Sequence, residues 1–139
     1  IKRILFAVGV DDSFNYQALI DYLESRGFTV TKVGTAIQLI AEASASWNLG
    51  GDVALIVTFG PLDRHEGERK ETESDTDRRK RGWRAVERLR KAGVKTPAIL
   101  IVTLIPEEYA PPPLEGTIAV SAFSLTVVAF GAAVDQLVA

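Results

Sequence analysis

The sequence predicts an α/β domain of three layers: a five-stranded parallel sheet with helices on both faces. Three observations carry that expectation. Short uninterrupted apolar runs such as Ile4-Leu5-Phe6-Ala7-Val8 recur along the chain, the pattern of strands covered on both sides. Stretches of helical period separate them, so that strand and helix alternate five times, which favours parallel pairing through right-handed crossovers. The length, 139 residues of which 47% are hydrophobic, suits one ordinary domain whose core needs no covalent staples.

The elements follow in order. The first strand, Ile4 to Val8, ends at Gly9. Asp12 or Ser13 can cap a helix that places Phe14, Ala18, Leu19 and Leu23 on one side, and Gly27 sits where the chain must leave it. Phe28 to Val33 reads as the second strand. A helix from Ala36 to Trp47 spaces Ile37, Ile40 and Trp47 towards the sheet and closes at Gly50-Gly51. Val53 to Val57 is the third strand. Beyond Pro61 the composition changes: Arg64 to Lys91 holds 11 of the 16 Lys and Arg residues and 7 of the 18 acids. Residues 64–82 therefore read as a charged insertion, followed by a helix whose inward stripe is Trp83, Val86 and Leu89 and which ends at Gly93. Ala98 to Thr103 forms the fourth strand. Pro106 and Pro111-Pro112-Pro113 oppose a regular helix before the fifth strand, Thr117 to Val120, so the helix there is expected to be shortened or missing. Leu125 to Val138 is the last helix. The common strand order for five such units is the flavodoxin-like one.

Composition excludes several classes. Without cysteine there are no disulfides, thiolate metal sites or cysteine nucleophiles, and a reducing cytoplasm fits. A net charge of -2 gives no basic field for nucleic acid. Methionine is absent even at position 1, so the chain reads as a piece of a longer protein, all of it one domain. Gly116 to Val134 is uncharged, but Ser121, Ser124 and Thr126 interrupt it, and a strand followed by a helix explains it better than a membrane span.

An acidic pair after strand one (Asp11-Asp12), a third strand opening with Asp52 and followed by Pro61, Thr103 ending strand four and Phe123 after strand five resemble a bacterial response-regulator receiver domain, CheY-like, over nearly the whole chain. The resemblance implies a flavodoxin-like fold and a role in signal transduction. In working receivers a strand-three aspartate accepts phosphate, the acidic pair holds Mg²⁺, a Ser or Thr senses the phosphoryl group and a lysine after strand five pairs with it. Aligned through Asp52 and Pro61, the acceptor position falls on Val57, and a shift of one gives Thr58. No acid lies between Asp52 and Asp63. The lysine position falls on Ser121, and no Lys or Arg follows Lys95. The resemblance is therefore to a degenerate receiver, a pseudo-receiver, whose vestigial phosphorylation pocket is Asp11, Asp12, Val57, Thr103 and Ser121.

Other motifs have plainer readings. Asp11 and Asp12 are weak candidates for a divalent ion, since a third ligand is not evident. His65, beside Arg64 and Glu66, reads as a solvated loop histidine. Arg78-Arg79-Lys80-Arg81 follows Glu71, Glu73, Asp75 and Asp77 closely enough for local pairing. The last helix is unusual: ten of its fourteen residues are apolar and only Asp135 is charged. Leu125, Val128, Phe130, Ala132 and Leu137 are the expected interaction surface, because contiguous exposed apolar area marks partner sites.

The expected function is thus a non-catalytic, cytoplasmic receiver-like module acting by protein-protein interaction, with an adjacent domain, a partner or a second copy docking on the last helix. No cofactor, nucleic acid or membrane is implied. Two alternatives compete: a small-ligand or nucleotide sensor binding where Gly9 to Ser13, Thr58 to Pro61 and Thr103 converge, and an NAD-cleaving enzyme of the TIR type.

Overall fold

In a computed structural model, which describes residues 2–8, 16–60, 80–102 and 114–138 apart from the Phe123 side chain, five parallel strands form one sheet in the order β2-β1-β3-β4-β5. The strands are β1 (Arg3–Ala7), β2 (Thr29–Val33), β3 (Val53–Phe59), β4 (Ala98–Val102) and β5 (Thr117–Ser121). The helices are α1 (Gln17–Ser25), α2 (Ala36–Asn48), α3 (Arg81–Lys91) and α4 (Val127–Val138), with a short 3-10 turn at Ala122–Ser124 before α4. This is the flavodoxin-like arrangement that the alternation of elements predicts. The cap at Asp12 or Ser13, Phe14, Pro61, His65, most of the charged insertion and residues 103–113 of the connection between β4 and β5 lie outside the described residues.

The pleat of the sheet divides the core in two. Ile4, Phe6, Leu55, Val57, Phe59, Ile99 and Ile101 face α1 and α4, where Leu19, Leu23, Phe130 and Val134 close over them. Leu5, Ala7, Ile56 and Ala98 face α2 and α3, under Leu39, Ala43, Val86 and Leu89. Each large side chain fully buried this way contributes roughly 1.5–3 kcal/mol. The central strands are covered on both faces, which is why they read as continuous apolar runs.

Several inward assignments need correction. In α1 the buried stripe is Leu19, Ile20 and Leu23, and Ala18 is exposed. In α2 the sheet takes Leu39 and Ala43, whereas Ile37 and Trp47 are 53% and 46% exposed. Nearly every position of α2 is apolar or small, so spacing alone does not choose the face; packing against α3 and β1 does. β3 runs two residues further than Val57, because Thr58 and Phe59 continue the ladder opposite Leu100 and Ile101.

The last helix also differs from expectation at one residue of its interaction surface. Phe130 is fully buried rather than presented to a partner. It packs edge-on against Tyr22 of α1, with ring centroids 6.2 Å apart, and the absence of a side chain at Gly131 lets the Tyr22 hydroxyl approach. Arg26 then donates to the Tyr22 hydroxyl at 2.6 Å and to Asp135 Oδ1 at 2.8 Å, tying the ends of α1 and α4 together. The Asp135 hydrogen bond holds the Arg26 guanidinium above its ordinary pKa. Among the described residues no helix is long and apolar enough to cross a membrane; Gly116 to Val134 divides into β5 and the first part of α4.

Candidate functional site

A parallel sheet gathers the carboxyl ends of its strands at one edge, where α/β folds commonly bind ligands. The end of β3 occupies its centre. Val57 pairs with Phe6 on one side and Ile99 on the other, is fully buried, and points into the apolar cluster beneath α1 and α4. A hydrocarbon there can neither receive a phosphoryl group nor ligate a cation.

Thr58 faces the other way and is also fully buried. Its hydroxyl donates to the Phe59 carbonyl at 3.0 Å. The first turn of α3 sits directly on this corner: Gly82 N-H donates to Gly60 O at 2.9 Å, and a Cβ on Gly82 would collide with the Phe59 carbonyl and press on Thr58 Oγ1. Glycine at 82 is what permits that approach. The alternative register therefore puts at the acceptor position a hydroxyl that is enclosed and already engaged.

Ser121, the last residue of β5, lies opposite Val102 and is partly buried. It supplies a hydroxyl where the resemblance asks for a cation. Asp52 belongs to the opposite edge, where its carboxylate accepts from Arg3 Nε at 3.1 Å; it holds the starts of β1 and β3 together. Asp11, Asp12 and Thr103 lie outside the described residues. Val57, two residues before the end of β3, and Ser121, the last residue of β5, thus lie towards the same edge on strands separated by β4.

Two cations at this edge escaped the sequence reading. Arg81, the first residue of α3, is only 6% exposed, although the basic run containing it reads as solvated. A clue existed, since Arg81 stands four residues before Ala85 and eight before Leu89, on the buried stripe of its own helix. Burying a guanidinium is costly unless acceptors surround it. Lys32, near the end of edge strand β2, donates to the Tyr16 hydroxyl at 3.0 Å and lies 4.8 Å from that ring's centroid. Tyr16 in turn contacts Phe6 and Phe59, at centroid distances of 5.9 and 6.3 Å. Lys32 is therefore engaged three strands away from Ser121's neighbour β4.

No family model and no curated protein matches this sequence. Solved structures do resemble its fold. A response regulator receiver protein from Sinorhizobium medicae aligns over 99% of this chain and 94% of its own, with a TM-score of 0.67 and 20% identity. The receiver domain of a sensor histidine kinase from Pseudomonas aeruginosa, solved with a magnesium ion in its active-site cleft, gives 0.65 and 15% over 99% and 98%. The N-terminal domain of a response regulator/sensory box/GGDEF three-domain protein from Carboxydothermus hydrogenoformans gives 0.63 and 17% over 99% and 94%. Magnesium needs oxygen ligands, and Val57, Thr58 and Phe59 at the end of β3 offer it no carboxylate; among the described residues no three acidic or histidine side chains converge. The fold is that of the CheY-like response-regulator receivers.

Proposed function

We propose that this chain is a receiver-like signalling or assembly module that works by protein-protein contact, without aspartyl phosphorylation, in the cytoplasm of a bacterium. The observation that carries the reading is Val57: fully buried in hydrocarbon two residues before the end of β3, where the resemblance asks for the phosphate acceptor. Ser121 at the end of β5 supports it, as does the engagement of the Thr58 hydroxyl. Phosphoryl transfer needs an oxygen nucleophile, a metal on the phosphoryl oxygens and a cation beside them, and the sequence supplies no acid from Val53 to Leu62.

The contact surface in this reading is the solvent side of α4 beside edge strand β5. Val128 is 83% exposed, Val127 and Ala132 are exposed, and Leu125 and Leu137 are half-buried. Phe130 anchors the helix from beneath rather than meeting the partner.

Light scattering on the wild-type chain, with and without acetyl phosphate and Mg²⁺, and on Val128→Glu tests both halves. The expected result is an association state that ignores acetyl phosphate but drops towards monomer in Val128→Glu. Association that appears only after acetyl phosphate treatment would refute the reading.

A further inference from the structure

The amino edge of the sheet, opposite the site described above, carries a second feature. Ser46, Trp47, Gly50, Gly51, Val53 and Thr96 line a pocket of about 280 Å³ between the end of α2 and the starts of β3 and β4. We infer that this pocket binds a small, neutral, planar ring compound bearing hydrogen-bonding atoms on its rim, of the size of a nucleobase.

Four observations give that class. Thr96 is only 4% exposed, and its hydroxyl makes no hydrogen bond among the described residues, although its carbonyl accepts from Arg90 Nη2 at 2.8 Å. The backbone is thus pinned, and the residue stands in the pocket wall with its hydroxyl unpartnered among the described residues. A buried hydroxyl without a partner is costly, and valine would fill the same volume without that cost. Trp47 supplies a half-exposed indole, a flat surface suited to stacking against a ring. Gly50 and Gly51 keep the rim low. Gly51 N-H is already bound to Ser46 O at 2.7 Å, and Ser46 Oγ accepts from Val53 N at 3.3 Å, so the frame is fixed before a ligand arrives.

None of the six lining residues is ionisable. Asp52, between Gly51 and Val53, has its carboxylate committed to Arg3. A charged ligand would therefore lose its hydration without gaining a counter-ion, whereas a neutral ring meets the Trp47 indole and a wall that includes Thr96. The volume lies just below the range of drug-sized sites and suits about ten non-hydrogen atoms. The inference is independent of the reading of the carboxyl edge, because no residue is shared.

The test is a set of ¹⁵N-¹H correlation spectra of the whole chain titrated with adenine, uracil, indole and phenol, and with benzoate as an anionic ring. At least one neutral ring is expected to shift the Trp47 indole N-H and the Gly50, Gly51 and Thr96 amides saturably, with a Kd between roughly 10 µM and a few mM. Trp47→Ala should abolish these shifts. Thr96→Val should keep the dispersed spectrum and raise Tm, yet weaken binding about fivefold, as expected for one lost hydrogen bond. Absence of saturable shifts with all four neutral rings overturns the inference. So does a Thr96→Val chain that binds within twofold of wild type, or benzoate binding as tightly as the neutral rings.

Discussion

Helices α2 and α3 lie side by side on one face of the sheet, yet they meet water differently. α3 presents Arg84, Arg88 and Lys91 to solvent, pairs Lys91 with Glu87 at 3.9 Å, and buries Ala85, Val86 and Leu89. It is a fully amphipathic surface helix. α2 has a single charge, Glu42; it buries Leu39 and Ala43 and leaves Ile37 and Trp47 in solvent, with Leu49 exposed just beyond its end. Folding buries every aliphatic side chain of α3 and leaves only Trp83 half-buried, but it covers only part of α2's apolar surface. Of that surplus, Trp47 lines the pocket at the amino edge, whereas Ile37 stands at the other end of the helix.

That contrast can be broken at its inward positions first. Leu39→Ala in α2 and Leu89→Ala in α3 remove fully buried side chains and should each cost about 2–5 kcal/mol in urea denaturation. If Leu39→Ala costs less than about 1 kcal/mol, the assignment of α2's inner face is wrong. Gly82→Ala comes next. The added methyl meets the Phe59 carbonyl, and pushing α3 off β3 should cost about 1–3 kcal/mol, against the small gain that alanine normally brings inside a helix. The smallest effect is expected at Ile37→Ala, within about 0.5 kcal/mol of wild type, because this residue is more than half exposed. A loss there comparable to that at Leu39 would mean that α2 is rotated on the sheet.

The same physics decides what the sequence revealed. Strands β1, β3 and β4 were legible because coverage on both faces demands unbroken apolar runs, and α3 in part, since Val86 and Leu89 fall inward as its spacing predicts while Trp83 is only half-buried. α2 was not, since Ile37, Ile40 and Trp47 form as good a stripe as Leu39 and Ala43 until α3 is placed beside it. The extension of β3 through Thr58 was hidden because a threonine hydroxyl looks like a strand end, whereas here it is satisfied by the next carbonyl. At the candidate site, Val57 and Ser121 could be placed from the register of the resemblance alone. Arg81 could not, because burial of a charge depends on what surrounds it in space, and a run of four basic residues reads as solvated. Nor did the sequence disclose Thr96 as a wall of a pocket: a Thr-Pro step before a strand has no unusual signature, and only its burial with a hydroxyl unpartnered among the described residues singles it out.

The claim that this receiver fold operates without phosphate is tested most directly by intact-mass spectrometry after incubation with acetyl phosphate and Mg²⁺, before and after mild acid. The buried valine at position 57 leads us to expect an unchanged mass in both spectra. An adduct of one phosphoryl group that disappears on acid treatment, and that borohydride reduction converts to homoserine as an aspartyl phosphate requires, would contradict the account.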